Sequence, residues 1–459
     1  MLETILHERF RIPSLRPLQA SIVDRVMDGG DALVVMPTGS GKSLCFQLPA
    51  LARPGMGLVF SPLIALMEDQ VAALKRLGVR ASYVNSTLSR QEREKRQRRM
   101  AQGEFELMYA TPERMHKPEF REAIRGLDIS LVAVDEAHCI SRWGHDLRPA
   151  YTDVGRFRDD LGSPPTIALT ATATHEVRDD IRRVLGATEA SMPLFRSPIE
   201  RPNLRLEATE AWDDDDIARG IDEVRRSVGG TTIVYFALIK DLERFADRFA
   251  PRPLVYHSRL DARRKKWVYE QFIEAPPEEG LLLLATNAFG MGVDKPDIRA
   301  IVHAQVPGSV EAYFQEVGRA GRDGAPSICR LLYRSDDLAI QQQFVEWQNP
   351  PADLLMRIAT ALESSGHADF DADEIRLDVI GKNRSDRRIE YALITLEKLG
   401  VIEATSMPER YRFVRPLRDD ELDVDEIEAK KRRDLGRLLR VVELARAPDL
   451  ATYVSDYFA

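Results

Sequence analysis

Cysteine is scarce in this sequence: Cys45, Cys139 and Cys329 are the three in 459 residues. Three scattered thiols cannot build a disulfide framework, and such sparing use fits a reducing cytoplasm. Long apolar runs are also missing. The richest stretch, GLLLLATNAFGMGV at 280–293, is broken by Thr, Asn and Gly and falls short of the roughly 20 apolar residues that a bilayer span requires. No membrane partner is expected. The opening residues MLETILHERFRIPSL carry no basic stretch, apolar core or small-residue cleavage site, so no secretory leader is expected. Nor is there an excess of positive charge: 65 Lys and Arg face 73 Asp and Glu, a net −8. A chain-wide pull on nucleic acid is thereby excluded, and any such binding must come from local contacts. RQEREKRQRR (90–99), RRKK (263–266) and KKRR (430–433) are basic and WDDDD (212–216) is acidic. Each reads first as a solvated helix face.

What is present is a repeated pattern. Short apolar runs without alternation occur at 32–36, 57–60, 105–110, 131–136 and 166–172, each followed by a helical pattern. Strands buried on both faces of a parallel sheet read this way. The pattern restarts at 231–237, 253–258, 281–287, 300–303 and 329–333. Two successive α/β units follow, with a polar, acidic boundary near 203–216. A second break falls at EWQNPPAD (346–353). Beyond it, 385–400 puts Ile389, Ala392, Leu393, Leu396 and Leu399 on one helical face, with Gly400 as terminator. VIEAT and RYRFVRP then read as a hairpin. Helices followed by a hairpin suggest a winged helix, which serves either to bind DNA or to bind protein. The tail, 418–459, is charged and then helical.

LVVMPTGSGKSLCFQLPA (33–50) nearly fits the phosphate-binding pattern G-x-x-x-x-G-K-[ST], with Met36 where the first glycine should stand. Gly39 and Gly41 permit close backbone approach, Lys42 carries charge to the β/γ-phosphates, and Ser43 offers a hydroxyl to Mg²⁺. Position 36 only ends the strand, so a side chain there is tolerated. The bland alternative is a glycine turn between strand and helix. Asp135 and Glu136 end another buried strand, where carboxylates are costly unless used. Asp135 suits Mg²⁺, and Glu136 suits an attacking water. Arg319 and Arg322, in QEVGRAGRDG (315–324), lie on the other α/β unit. From there they can stabilise charge on a γ-phosphate, or form a plain solvated turn.

Together these pieces resemble the superfamily 2 helicases and, within them, the RecQ family. LRPLQ (15–19), SPLIALMEDQ (61–70), YATPER (109–114), ALTATAT (168–174), RPN (201–203), ATNAFGMGVDKPDIRAIVH (285–303) and YFQEVGRAGRDG (313–324) follow that family's ordered motifs. DEAHCISRWGHDLRPAY (135–151) resembles its aromatic-rich loop. The resemblance runs from residue 5 to about 340. It implies two tandem RecA-like, doubly wound parallel-sheet domains (1–205 and 206–345), then a winged-helix domain (350–417) and a C-terminal helical hairpin (418–459). ATP and Mg²⁺ are the implied cofactors, held by Arg16, Gln19, Thr38, Gly39, Ser40, Gly41, Lys42, Ser43 and Gln315, with Ser43 and Asp135 on the metal. Lys42, Asp135, Glu136, Arg319 and Arg322 are the implied catalytic set. DNA, single-stranded, forked or partly duplex, is the implied partner through Trp143, His145, Arg148, Arg384, Arg387 and Arg388. The expectation is a cytoplasmic, nucleoid-associated, ATP-dependent helicase moving 3′ to 5′ in repair or recombination. The alternatives are an ATP-regulated DNA clamp and an RNA helicase.

Three departures accompany the resemblance. Ile12 stands where many members have an adenine-stacking aromatic, and Leu147 replaces a phenylalanine of the aromatic-rich loop. The family's four-cysteine zinc module has no counterpart, since no cysteine follows Cys329 and a structural zinc needs four ligands at paired spacings. No structural zinc is expected; the rival explanation is a chain cut before further cysteines. Residues 431–459 read instead as a metal-free hairpin that packs Leu438, Leu439, Val442 and Leu444 inward, with Asp449 about where a first cysteine would stand.

Overall fold

The computed structural model describes all residues except 1, 38, 142–148, 291, 292, 294, 366–368, 380, 382–385 and 406–409. It divides into two compact units: 1–304 with 311–332 and 447–459, and 305–310 with 333–446. The first unit holds two sheets. One runs β3-β4-β2-β5-β6-β1-β7, with β1 at Ala32–Val35, β2 at Met56–Phe60, β3 at Ala81–Val84, β4 at Leu107–Ala110, β5 at Ile129–Val134, β6 at Thr166–Thr170 and β7 at Leu194–Arg196. Its ladders are parallel. Successive β1 residues enter different apolar clusters, Leu33 and Val35 in one, Ala32, Val34 and Met36 in the other. Both faces are therefore covered, which is why the strand is apolar throughout.

The second sheet runs β10-β11-β9-β12-β13-β8. Its strands are β8 at Leu204–Glu210, β9 at Thr231–Tyr235, β10 at Leu254–Tyr256, β11 at Leu282–Ala285, β12 at Ile298–His303 and β13 at Ser327–Tyr333. β10, β11, β9, β12 and β13 pair in parallel. In open parallel sheets ligands gather beyond the carboxyl ends of the strands. In the first sheet that edge carries the loops after β1, β5 and β6; in the second, those after β11 and β12. The acidic run has a local purpose. Asp213 caps the helix Asp214–Val228 by accepting from the Asp216 amide, and Asp214, Asp215 and Asp216 fill its first turn, where the helix dipole favours negative charge.

The second unit contains a three-stranded sheet, β14-β16-β15, of Phe370–Asp371, Arg410–Phe413 and Ile402–Ala404, paired antiparallel. Along the chain the order is helix Ala352–Ser365, β14, helices Ala372–Val379 and Arg388–Lys398, β15, β16. Ile389, Ala392, Leu393 and Leu396 are buried in its core, Leu399 is half-buried against it, and Gly400 ends the helix at φ 71°.

The tail is helical as expected, and its two helices have different partners, but the packing residues differ from the expected set. Val424–Arg446 packs on Leu338–Gln348, while Leu450–Phe458 packs on β8. Leu438 and Leu444 are buried, but Leu439 is 57% exposed and Val441 is buried instead. The helical period places 438, 441 and 444–445 on one stripe and turns 439 away from it. Among the described residues no helix is long and apolar enough to cross a membrane.

Candidate active site

The loop from β1 to the helix Leu44–Ala52 is built on two left-handed glycines, Gly39 (φ 78°) and Gly41 (φ 83°). Met36 is only 3% exposed and lies in the core with Ile22 and Phe46, so it does not crowd the loop. Gln19 Nε2 donates to the carbonyls of Ser40 (3.2 Å) and Gly41 (3.3 Å), and Arg16 Nη1 donates to Ser40 (3.3 Å). Arg16 and Gln19 thus brace the loop from behind. A Cβ on Gly41 would lie 2.6 Å from Gln19 Nε2. Lys42 and Ser43 follow at the start of the helix, both half-buried. Thr38 lies outside the described residues.

Asp135 and Glu136 follow β5 at the same sheet edge. The Asp135 carboxylate accepts from the Glu136 amide (3.0 Å) and Ser61 Oγ (3.4 Å). Burial pushes its pKa up to about 7, the Glu136 charge adds to the rise, and Lys42 opposes it. A carboxylate so desolvated gains most from a neighbouring cation. Asp135 and the Ser43 hydroxyl are both oxygen donors of the kind Mg²⁺ takes, and would hold it together with phosphate oxygens and water. Glu136 has a left-handed backbone (φ 49°) that turns its carboxylate to His138 Nδ1 at 3.3 Å. The same nitrogen meets Thr170 Oγ1 at 3.0 Å.

The arginines come from the second sheet. Helix Val310–Val317 carries the half-buried Gln315 and leads into the turn holding Arg319 and Arg322. Arg319 Nη1 donates to the Gly290 carbonyl, and a Cβ on Gly290 would lie 2.6 Å from its guanidinium. Arg322 Nη1 donates to the Val293 carbonyl at 2.8 Å. Its side chain also reaches the phosphate loop, since a Cβ on Gly39 would lie 3.3 Å from Arg322 Cδ. Loop, carboxylates and arginine thus belong to one site.

Several contributors were missed at the level of single residues. Arg201 Nη2 donates to Ala320 (3.0 Å) and Gly321 (2.8 Å), and Asn203 Nδ2 to Gly321 (2.8 Å) and Ala325 (3.1 Å). They clamp the backbone between and after the two arginines. The signal was RPN itself, quoted as a motif but given no role. Tyr151, whose hydroxyl donates to the Asp135 carbonyl at 2.8 Å, was likewise inside a quoted stretch.

Trp143, His145, Arg148 and Arg384 lie outside the described residues. Arg387 is exposed at the start of Arg388–Lys398. Arg388, also expected to meet phosphate, is paired with Asp386. Asp386 takes its Nε at 2.9 Å and its Nη2 at 2.5 Å, and this two-point pairing offsets its charge. The three cysteines are separately buried. Burial pushes the thiols of Cys45 and Cys329 up to about 12, so they behave as small apolar groups.

Residues 16–181 match the DEAD/DEAH box helicase family and 216–324 the helicase conserved C-terminal domain. The chain is 38% identical over 373 residues to a probable ATP-dependent DNA helicase RecS of Bacillus subtilis, covering 80% of this chain and 74% of that protein. It is 43% identical over 317 residues to the ATP-dependent DNA helicase RecQ of the same organism, covering 68% of this chain and 52% of that one. The chain thus spans about half the length of that RecQ protein. In structure it is similar to the DUF1998 helicase MrfA bound to DNA and AMPPNP, with a TM-score of 0.60 at 19% identity over 90% of this chain and 61% of that one.

Proposed function

Since this chain belongs to the RecQ family of ATP-dependent DNA helicases, we propose that it separates DNA strands 3′ to 5′ by hydrolysing ATP between its two α/β domains. The observation that carries this reading is Arg322 of the second domain lying against Gly39 of the first domain's phosphate loop. In this reading the amides around Gly39 and Gly41 and the Lys42 ammonium hold the phosphates. Glu136 orients and deprotonates the attacking water, its carboxylate lying 3.3 Å from His138 Nδ1. Arg319 and Arg322 meet charge that develops on the γ-phosphate. Mg²⁺, held by Ser43 and Asp135, would neutralise the phosphate oxygens. Because one ligand touches both domains, binding favours their approach and product loss releases it, so the cycle biases a hinge.

DNA is proposed to meet Trp143, His145 and Arg148 close to Glu136, which lets strand contact influence hydrolysis. The helix–strand–helix–helix–strand–strand order of the second unit supports a winged helix, with Arg384 and Arg387 offered to phosphates. Work in repair or recombination, in the cytoplasm at the nucleoid and without structural zinc, completes the proposal. Metal analysis after dialysis should give well under one zinc per chain; stoichiometric zinc contradicts that part.

The deciding assay places a forked DNA duplex beside its RNA counterpart, with tails on either 3′ or 5′ ends. Strand separation of DNA that requires ATP and a 3′ tail is expected. ATP-dependent DNA retention without separation would establish a clamp instead, and preference for the RNA fork would overturn the DNA reading.

A further inference from the structure

The helix Ala262–Glu274 follows β10 and starts at the carboxyl edge of the second sheet. Asp261 caps it, accepting from the Arg264 amide at 2.8 Å. Val268 and Phe272 are buried, which leaves another face outward. On that face Trp267 is 42% exposed. An indole so placed forgoes burial of a large apolar area, and its surroundings are unusual for this acidic chain. Within 259–267 five cations, Arg259, Arg263, Arg264, Lys265 and Lys266, stand against one carboxylate, Asp261. Arg264 Cζ sits 4.2 Å from the Trp267 ring centroid, which steadies the indole from one side. Lys265 is engaged by the Ser258 carbonyl at 2.7 Å, and Lys266 makes a loose pair with Glu270 at 3.7 Å. Among the described residues no carboxylate pairs with Arg259, Arg263 or Arg264.

We propose that Trp267, with Arg259, Arg263 and Arg264 around it, is a docking surface for single-stranded nucleic acid, a base stacking on the indole and phosphates meeting the guanidinium groups. An open aromatic face among unpaired cations is the combination that tracks a single strand without reading its sequence. An acidic peptide would satisfy the cations but leave the indole without a flat partner. The inference deepens the helicase reading by adding a strand contact that the site residues above do not include.

The test uses the full chain and fluorescence anisotropy with a labelled oligothymidine strand and a matching strand of abasic sites. Trp267→Ala should weaken binding to the base-bearing strand at least roughly fivefold, the lower end for loss of one stacked base. Trp267→Phe should retain most of the affinity, and the Ala defect should vanish on the abasic strand. Arg263→Gln with Arg264→Gln should weaken both strands and flatten the salt dependence. ATP hydrolysis without DNA should be unchanged in each variant. Wild-type affinity in Trp267→Ala, or an equal loss on both strands, overturns the proposal. So does displacement of the strand by polyglutamate at the same concentration as by unlabelled DNA, which would mark a site for an acidic protein. Failure of the helicase reading would be seen separately, as a wild-type chain that hydrolyses no ATP.

Discussion

Glu136 occupies a left-handed conformation directly after a buried strand, which costs a residue with a side chain about 1–2 kcal/mol. The turn sets the carboxylate beside the phosphate loop's sheet edge, 3.3 Å from His138 Nδ1. Glutamine keeps the shape and loses the base. Glu136→Gln should therefore bind ATP normally yet turn over on the order of 10²–10⁴-fold more slowly, as measured by nucleotide titration beside phosphate release. Lys42→Ala should lose hydrolysis through lost charge at the phosphates, and near-normal release from it would refute the assigned site. Gly41 makes a subtler case. Alanine there must adopt φ 83° and displace Gln19 Nε2 from 2.6 Å, freeing the Ser40 and Gly41 carbonyls. Gly41→Ala should weaken nucleotide binding roughly tenfold, in line with strain of about 1–2 kcal/mol. In a Gln19→Ala background its effect should be smaller but not absent, because the clash goes and the strain stays.

Two short contacts set the behaviour of whole elements. Asp449 caps the helix Leu450–Phe458, accepting from Ala451 N (2.9 Å), Thr452 N (3.3 Å) and Thr452 Oγ1 (2.8 Å). Asp449→Ala should cost about 1 kcal/mol, seen as faster amide exchange confined to 450–458. Glu421 accepts from Arg415 at 2.7 and 2.8 Å and from the Arg418 amide at 3.0 Å, and the Arg415 hydrogen bond leads in holding its pKa down to about 2 from 4.5. A lowered carboxylate pKa stabilises the fold above the unfolded value and ceases to do so as pH falls through the folded one. Glu421→Gln should thus have a slightly lower urea midpoint than wild type at pH 7, solvent screening keeping the gap small, and the gap should narrow below about pH 4.5. Which elements were legible in the sequence follows a physical rule. The interior strands β1, β2, β4, β5, β6, β9, β11, β12 and β13 all announced themselves as apolar runs, and so did the edge strand β10. β3, β7 and β8 did not. These are three of the four end strands, where one open flank relaxes the need for a continuous apolar run: β8, LRLEATE, is mostly half-buried or exposed, β7 is half-buried, and β3, though mostly buried, is short and carries Ser82 and Tyr83. The catalytic motifs were legible because phosphate chemistry restricts residue type and spacing. The clamps formed by Arg201 and Asn203 act on backbone carbonyls, which leave no mark in the sequence of the partner.

At the scale of the molecule, the proposed coupling of ATP chemistry to strand movement rests on the approach of Arg322 to Gly39. Arg322→Ala should slow hydrolysis by about 10³-fold or more, the range for an arginine supplied across a domain boundary, while single-turnover binding of nucleotide stays close to wild type. Loss of affinity with unchanged turnover would instead make it a binding residue only. Single-stranded DNA should accelerate the wild-type rate, and the acceleration should fall steeply with salt. One further feature bears on how the protein comes into being. The helix Leu450–Phe458 seals the first unit: Phe458 packs on Phe314 with ring centroids 5.4 Å apart, Tyr457 Oη meets Glu311 at 2.7 Å and Ser455 meets Glu200 at 2.8 Å. The Ala459 backbone oxygen accepts from Arg196 and Arg178, 263 and 281 residues earlier. During synthesis, however, residues 333–446 emerge before that helix does. Both sheets can condense on the ribosome, yet Ile199, Leu204 and Phe314, which line one cavity with Val454, must wait uncovered while another unit is translated. At about 5–20 residues per second that interval lasts roughly 6 to 23 seconds, and it is the window in which a nascent chain of this kind most needs a chaperone.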